Sequence, residues 1–312
     1  MPVVLMILST LFLLFTIGGV LASINDAVPR PSTFTLTVFQ PKLTTLSPSI
    51  PSQLAALRDA AAAASAASSN LLVVPELYLT GYNLDAALSP EPHGGPHFTA
   101  ASEIAAEFNI SIVFTYAELG SDDNKTYDSA VLFGRDGTPR LNYRKVNLAS
   151  GENLFLSPGG VIGPVIDVDG IRVGIIICFD VFLPEPARIL AIDNVDLIII
   201  PTANGYPPFV YNQISDLIVP ARALENSAFV AYVNWVQVGA PPNPFPEIWS
   251  FYGRTTVAEP GGAVLYRGPS DAQDIAHVVL NISAGSGSST ALNRQPPNFA
   301  SPMCPSNLSS PT

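Results

Sequence analysis

The apolar and polar positions of this chain alternate between two rhythms. Strand-length runs rich in β-branched and aromatic residues occur at Phe34–Phe39, Leu71–Val74, Ile110–Ala117, Ile171–Cys178, Asp196–Pro201 and Ala228–Val236. Several are apolar without a break, which predicts strands buried on both faces. Helical spacing fills the gaps. Pro51–Ser68 is alanine-rich with Leu54 and Leu57 on one face, Phe98–Phe108 reads as a second helix, and a third is predicted from Pro184. Asn212–Asn226 also reads as a helix, which Pro220 should kink because proline lacks the N–H owed to the carbonyl four residues back. Ser129–Phe133 and Arg140–Lys145 flank Arg135-Asp136-Gly137, and Gly253–Ala258 and Ala263–Arg267 flank Glu259-Pro260-Gly261-Gly262; both pairs read as hairpins. Ile275–Ile282 is expected as the last strand. Alternating β and α elements predict a layered α/β domain, and the hairpins predict mixed rather than purely parallel sheets. Neither a repeat nor a linker interrupts residues 34–283, so these are expected to form one domain.

The ends read differently. Val3 to Ala22 carries no charge, and Val20-Leu21-Ala22 offers small residues where a signal peptidase cuts. Residues 1–22 are therefore expected to be a secretory signal peptide, with an uncleaved anchor helix as the alternative, and 23–33 a linker. Residues 284–312 are rich in Gly, Ser, Pro and Asn and read as a disordered tail. N-x-S/T sequons at Asn109, Asn124, Asn281 and Asn307 agree with a secreted glycoprotein.

Composition narrows the chemistry. Only 12% of residues are charged, against about 25% in ordinary soluble domains. Fourteen basic residues face 25 acidic ones, for a net charge of −11, which argues against a nucleic-acid partner. Two cysteines, Cys178 and Cys304, cannot build a disulfide framework or a cysteine-rich zinc site, and both are expected to stay unpaired. His93 and His97 stand four apart, but Pro92, Gly94, Gly95 and Pro96 forbid a helical ligand pair, so no metal is expected. Amines, thiols and imidazoles are scarce: three lysines, two cysteines and three histidines.

Two of those groups and one carboxylate fall at strand ends, where α/β sheets gather ligands. Glu76 directly follows the Leu71–Val74 strand and reads either as a base or as a carboxylate satisfied by turn N–H groups. Cys178 ends Ile171–Cys178 just ahead of a helix, a setting expected to lower a thiol pKa, although a free cysteine is also a common core residue. Lys145 ends a hairpin strand, where a solvated lysine is the plain alternative. A serine hydrolase would need G-x-S-x-G, and a dinucleotide site G-x-G-x-x-G after a strand; both are missing.

In series, these segments resemble the signatures of the carbon–nitrogen hydrolase (nitrilase) superfamily. Val74-Pro75-Glu76-Leu77-Tyr78-Leu79-Thr80-Gly81-Tyr82 is similar to the first. Tyr143-Arg144-Lys145-Val146, with Gly151-Glu152, Phe155 and Pro158-Gly159, is similar to the second. Cys178-Phe179-Asp180, with Pro184-Glu185 and Arg188, is similar to the third. Pro201-Thr202-Ala203-Asn204 and Arg222-Ala223-Leu224-Glu225-Asn226 add to the match, which lies nearest the small aliphatic and ω-amino-acid amidases. The resemblance implies a four-layer α-β-β-α sandwich with two mixed sheets and a Glu-Lys-Cys site without cofactor. Glu76 would be the general base, Lys145 the oxyanion stabiliser and Cys178 the nucleophile. Glu152 would position the substrate, the N–H of Phe179 would share the oxyanion, and Tyr82 and Asn204 would stand around the acyl group. It further implies a small amide substrate, with nitriles and carbamoyl amines as alternatives, and a homodimer or larger oligomer. A non-catalytic protein that merely keeps the fold is the rival from another class. One departure stands out: Asn147 occupies the position where many relatives have a histidine.

Overall fold

A computed structural model describes residues 30–44, 48–82, 90–205, 213–237 and 251–285. The expected leader, Cys304, Asn307 and most of the expected tail lie outside the described residues. Within them, no helix is long and apolar enough to cross a membrane.

The first sheet is built from β1 (Thr33–Gln40), β2 (Leu71–Val73), β4 (Ser111–Leu119), β5 (Thr126–Phe133), β6 (Pro139–Arg144) and β13 (Asp274–Asn281), with β3 (Glu91–Pro92) paired to β4. Its order is β13-β1-β2-β4-β5-β6. The pairs β1/β2 and β2/β4 are parallel, while β13, β5 and β6 run antiparallel to their neighbours. The second sheet has the order β12-β11-β10-β9-β8-β7, made of β7 (Ile166–Val168), β8 (Ile171–Ile175), β9 (Leu197–Thr202), β10 (Phe229–Asn234), β11 (Thr256–Ala258) and β12 (Val264–Arg267). Here β8, β9 and β10 are parallel and the flanking pairs antiparallel. Both sheets are mixed, as the hairpins predict.

The pleat of β2 shows how the layers stack. Leu71 and Val73 face a core shared with Val173, Ile175, Leu197 and Ile199 of the second sheet. Leu72 and Val74 face the opposite way, toward Leu57, Ala60 and Ala64 of α1 (Ile50–Ala66) and Ile104 of α2 (Pro96–Phe108). On the far side, α3 (Pro184–Ile192) and α4 (Val219–Asn226) cover the second sheet through Ala187, Leu190 and Ala223. The result is helix, sheet, sheet, helix. Each fully buried Leu or Ile contributes about 1.5–3 kcal/mol, so the core between the sheets dominates cohesion.

Local chemistry sets the details. Alanines on α1 let it lie close to the sheet, and Ser49 caps it by accepting from Ser52 N. Gly174 lets α3 approach β8: a Cβ there would sit 2.9 Å from Leu190 Cδ2. Pro220 does not kink a continuous α-helix as expected. A π-helical turn, Ile214–Ile218, precedes α4 and Pro220 falls in the first turn of α4, so the missing N–H falls at the junction. The structure also shortens the expected Ile171–Cys178 strand. β8 stops at Ile175, and Cys178 opens a 3-10 turn, Cys178–Phe182.

Candidate active site

The parallel strands of the two sheets deliver their carboxyl ends to one place. Glu76 follows β2 in a turn that β4 holds firmly. Thr115 donates to the Pro75 carbonyl and accepts from Tyr78 N at 2.9 Å. Trp235, just past β10, donates from Nε1 to the Glu76 carbonyl at 2.8 Å and stacks on Tyr78. Leu77 turns the chain with a left-handed φ of 49°. Trp235 is therefore a fixed wall under the turn.

Lys145 is the residue after β6, and its N–H donates to the Asp128 carbonyl of β5 at 2.8 Å. Its side chain is 0% exposed. Nζ donates to Glu76 Oε1 at 2.6 Å and to Glu152 Oε1 at 2.7 Å, and Asp128 Oδ2 lies 3.5 Å away. Glu152 reaches this point because Gly151, at φ 87°, opens the 3-10 turn Glu152–Leu154. Its other oxygen accepts from Ala149 N at 2.6 Å, and Tyr82 OH donates to Oε1 at 2.5 Å. One carboxyl oxygen from each of Glu76, Asp128 and Glu152 lies within 4.8 Å of the other two. The Lys145 ammonium already occupies the middle of that cluster.

Cys178 enters from the second sheet. It is 5% exposed and holds a left-handed φ of 44°, a strained conformation for a residue with a Cβ. Asp180 anchors the turn. Its carboxylate accepts from Ile177 N at 3.0 Å, Tyr143 OH at 2.7 Å and Asn147 N at 2.8 Å, tying the cysteine turn to the segment after Lys145. Asn147 adds a further bond to Asp180 from Nδ2 at 2.8 Å. Sγ points to Asn204 Oδ1 at 3.8 Å. Asn204 is oriented by bonds from Nδ2 to Thr202 Oγ1 (2.9 Å) and Tyr232 OH (2.8 Å). The Phe179 side chain stacks on Phe182, so what it offers the site is its backbone.

Electrostatics assign protonation states. Burial pulls the Lys145 ammonium toward neutrality, but the charges of Glu152 and Glu76 outweigh it and hold its pKa well above the usual lysine range. Burial pushes Glu152 up, while Lys145 and the bonds from Tyr82 and Ala149 bring it below the ordinary carboxylate value. For Cys178 the direction is opposite to the one expected from its place before a helix. Burial, then the charge of Glu76, push the thiol well above its usual range, against Lys145 and a bond from Thr202. The resting sulfur is a thiol and needs a base.

A carbon–nitrogen hydrolase family model matches residues 35–284, four-fifths of the chain, spanning both sheets and every residue just described. The chain belongs to the carbon–nitrogen hydrolase family. It is 33% identical over 235 residues to the "Hydrolase in pqqF 5'region" of Pseudomonas protegens, covering 73% of this chain and 77% of that one. It is also 33% identical to an (R)-stereoselective amidase of Pseudomonas sp., over 70% of this chain and 75% of the relative. Among solved structures, a glutamate-to-glutamine variant of the amidase from Nesterenkonia sp. AN1 superposes with a TM-score of 0.71 at 25% identity, covering 86% of this chain and 98% of that one. That structure shows covalent addition of the acetamide moiety of fluoroacetamide at the active-site cysteine. The likeness to a nitrilase-superfamily amidase agrees with the four-layer architecture described above, and as a family member this chain is a carbon–nitrogen hydrolase.

The structure brings Glu76, Lys145, Glu152 and Tyr82 into one bonded set and places Cys178 and Asn204 together on the facing sheet. Two neighbours escaped the sequence reading. Thr202 was visible only as part of a motif, and Asp128 not at all. Asp128 lay just outside the expected Ser129–Phe133 strand, and β5 in fact begins at Thr126, which places it inside the sheet.

Proposed function

We propose that this carbon–nitrogen hydrolase cleaves a small carboxamide to ammonia and a carboxylic acid through a thioester on Cys178. The observation that carries this reading is the wholly buried Lys145 ammonium, held by Glu76 and Glu152 and close enough to Cys178 for their charges to interact. Packing alone gives no reason to bury a cation among three carboxyls.

The chemistry follows from the protonation states. Glu76 takes the thiol proton, and the sulfur attacks the amide carbon. Negative charge develops on the carbonyl oxygen, where the Lys145 ammonium and the N–H of Phe179 hold it, each worth about 3 kcal/mol. Glu76 passes its proton to the departing nitrogen, ammonia leaves, and a thioester remains. Glu76 then takes a proton from water, the resulting hydroxide attacks the thioester, and the departing sulfur regains that proton from Glu76 as the acid is released. Glu152 keeps Lys145 charged and aimed, and Tyr82 fixes Glu152. Asn204 orients the sulfur.

The substrate reading is supported by relatives that are amidases and by the Nesterenkonia sp. AN1 amidase, also solved in complex with butyramide at 25% identity and a TM-score of 0.70. A panel of aliphatic amides, ω-amino amides, carbamoyl amines and nitriles, read as ammonia and carbon dioxide, tests it. Ammonia without carbon dioxide from amides is expected. Turnover restricted to carbamoyl amines, with carbon dioxide, would replace this reading with the carbamoyl one, and no turnover of any class would favour a binding protein.

We also carry forward secretion with cleavage after residue 22, and a homodimer or larger oligomer. The exposed asparagines of the sequons at Asn109, Asn124 and Asn281 support the first. Exposed Ile189, Ile192 and Leu224 on α3 and α4 support the second. An N-terminal peptide beginning at Ser23, a mass loss on deglycosylation and sedimentation above the monomer mass are the expected results.

A further inference from the structure

Asp128, on β5, is a buried acid that the reaction above leaves without a task. Its side chain is 0% exposed. Neither of its oxygens has a hydrogen-bond partner, and Glu76 Oε2, also buried, has none either. The nearest cation, Lys145 Nζ, is 3.5 Å from Asp128 but 2.6 Å from Glu76 and 2.7 Å from Glu152. If all three carboxyls were ionised, three negative charges would face one ammonium in a buried site. Carboxylates crowded into one site do not all ionise; one keeps its proton. Two carboxylates also lack any donor between them, whereas an acid beside a carboxylate forms a short charge-assisted bond. A single proton shared by Asp128 and Glu76 therefore satisfies orphaned oxygens on both.

We propose that Asp128 is a positioning residue that stays protonated and donates a hydrogen bond to the Glu76 carboxylate, fixing the base while remaining neutral itself. The inference rests on the reading of Glu76 as the general base. The position of Lys145 decides which partner keeps the proton, because the ammonium bonds Glu76 directly and favours the anion there. Burial first, and the charge of Glu76 second, push the Asp128 acid well above the usual carboxylate range, with Lys145 acting against them. The charged and titratable groups around it are Glu76 from the turn after β2, Lys145 and Tyr143 from the β6 segment, and Glu152 from the 3-10 turn. With Asp128 neutral, the set holds two carboxylates against one ammonium. When Glu76 takes the thiol proton, one negative charge moves to sulfur and the total does not change. The base can thus take up and release its proton without moving net charge in or out of the buried site.

The test compares Asp128→Asn, which keeps a donor on the same stem, with Asp128→Leu, which fills the space without one. Amide turnover by Asp128→Leu should fall about 100-fold in kcat with KM changed less than about threefold. Asp128→Asn should recover most of that loss, and its pH profile should keep the wild-type shape. If Asp128→Asn, shown to be folded by its melting curve, loses as much as Asp128→Leu, the inference is overturned. Infrared difference spectra in the inactive Cys178→Ala background supply a readout independent of turnover. The carbonyl stretch of a protonated carboxylic acid should be present at neutral pH and vanish with Asp128→Asn. Absence of that band, or its persistence in Asp128→Asn and loss in Glu76→Gln, overturns the assignment even if the enzyme is an active amidase. Should the wild type hydrolyse no amide, the catalytic reading fails while the band still reports where the proton sits.

Discussion

Glu152 shows what one charge does in a buried site. Its carboxylate and that of Glu76 are what keep Lys145 protonated against the cost of burial. Replacing Glu152 by Gln retains an oxygen for Tyr82 and Lys145 but removes that charge, so the ammonium should lose its proton at lower pH. We expect kcat to fall about 10–100-fold and the alkaline limb of the pH–rate profile to move down; an unmoved limb would show that Glu152 does not tune Lys145. At this scale the three principal residues could be singled out by their places after strands, but each kept a plain structural alternative, and their roles came from the family resemblance. The acidity of Cys178 was misread, because a local sequence context before a helix says nothing about burial or about Glu76 arriving from the other sheet. Asp128 was illegible for a similar reason. A lone acid in a hairpin strand ordinarily faces water, and here Glu76, Lys145 and Glu152 close around it instead.

Elements translate those residues into positions. Glu118 of β4 accepts from Ser129 of β5 (2.6 Å) and from Asn142 (2.8 Å) and Arg144 (2.6 Å) of β6, stitching three strands just ahead of Lys145. Burial alone would raise its pKa, but the Arg144, Ser129 and Asn142 bonds together hold it below the ordinary 4.5. A carboxylate lowered on folding adds stability that is fully present above its unfolded value and disappears as pH falls through the folded one. Acid unfolding should therefore steepen below about pH 4.5, and Glu118→Gln should flatten that limb while destabilising the protein at neutral pH. Denaturation midpoints against pH measure this; parallel curves for both proteins would refute it. At Gly174, a valine would drive its Cβ into Leu190 and lift α3 from β8. A loss of about 1–3 kcal/mol is expected by chemical denaturation, and an unchanged midpoint would show that α3 yields freely. Strands and helices with strong periodicity were readable along the chain. β3, of two residues, was too short to show a period, and β7 was passed over although Asp169-Gly170 marks its hairpin turn. The π-helical turn before Pro220 was hidden because side-chain spacing does not distinguish it from a kinked helix.

The molecule as a whole is two sheets whose shared core holds two halves of one site in register. Glu76, Lys145, Asp128 and Glu152 belong to the first sheet and its loops, and Cys178, Thr202 and Asn204 to the second. Hydrophobic runs announced strands buried on both faces, but periodicity could not tell which sheet each joins; that came from the family resemblance and from the pairing observed. The central claim is that Cys178 is the nucleophile on which the two halves converge. Its most direct test is ammonia release from a small aliphatic amide such as butyramide by the wild type and by Cys178→Ala, alongside their melting curves. The account predicts steady release by the wild type, and a fall of about 1,000-fold or more in Cys178→Ala with the melting transition retained. A folded Cys178→Ala protein that releases ammonia at the wild-type rate would contradict it.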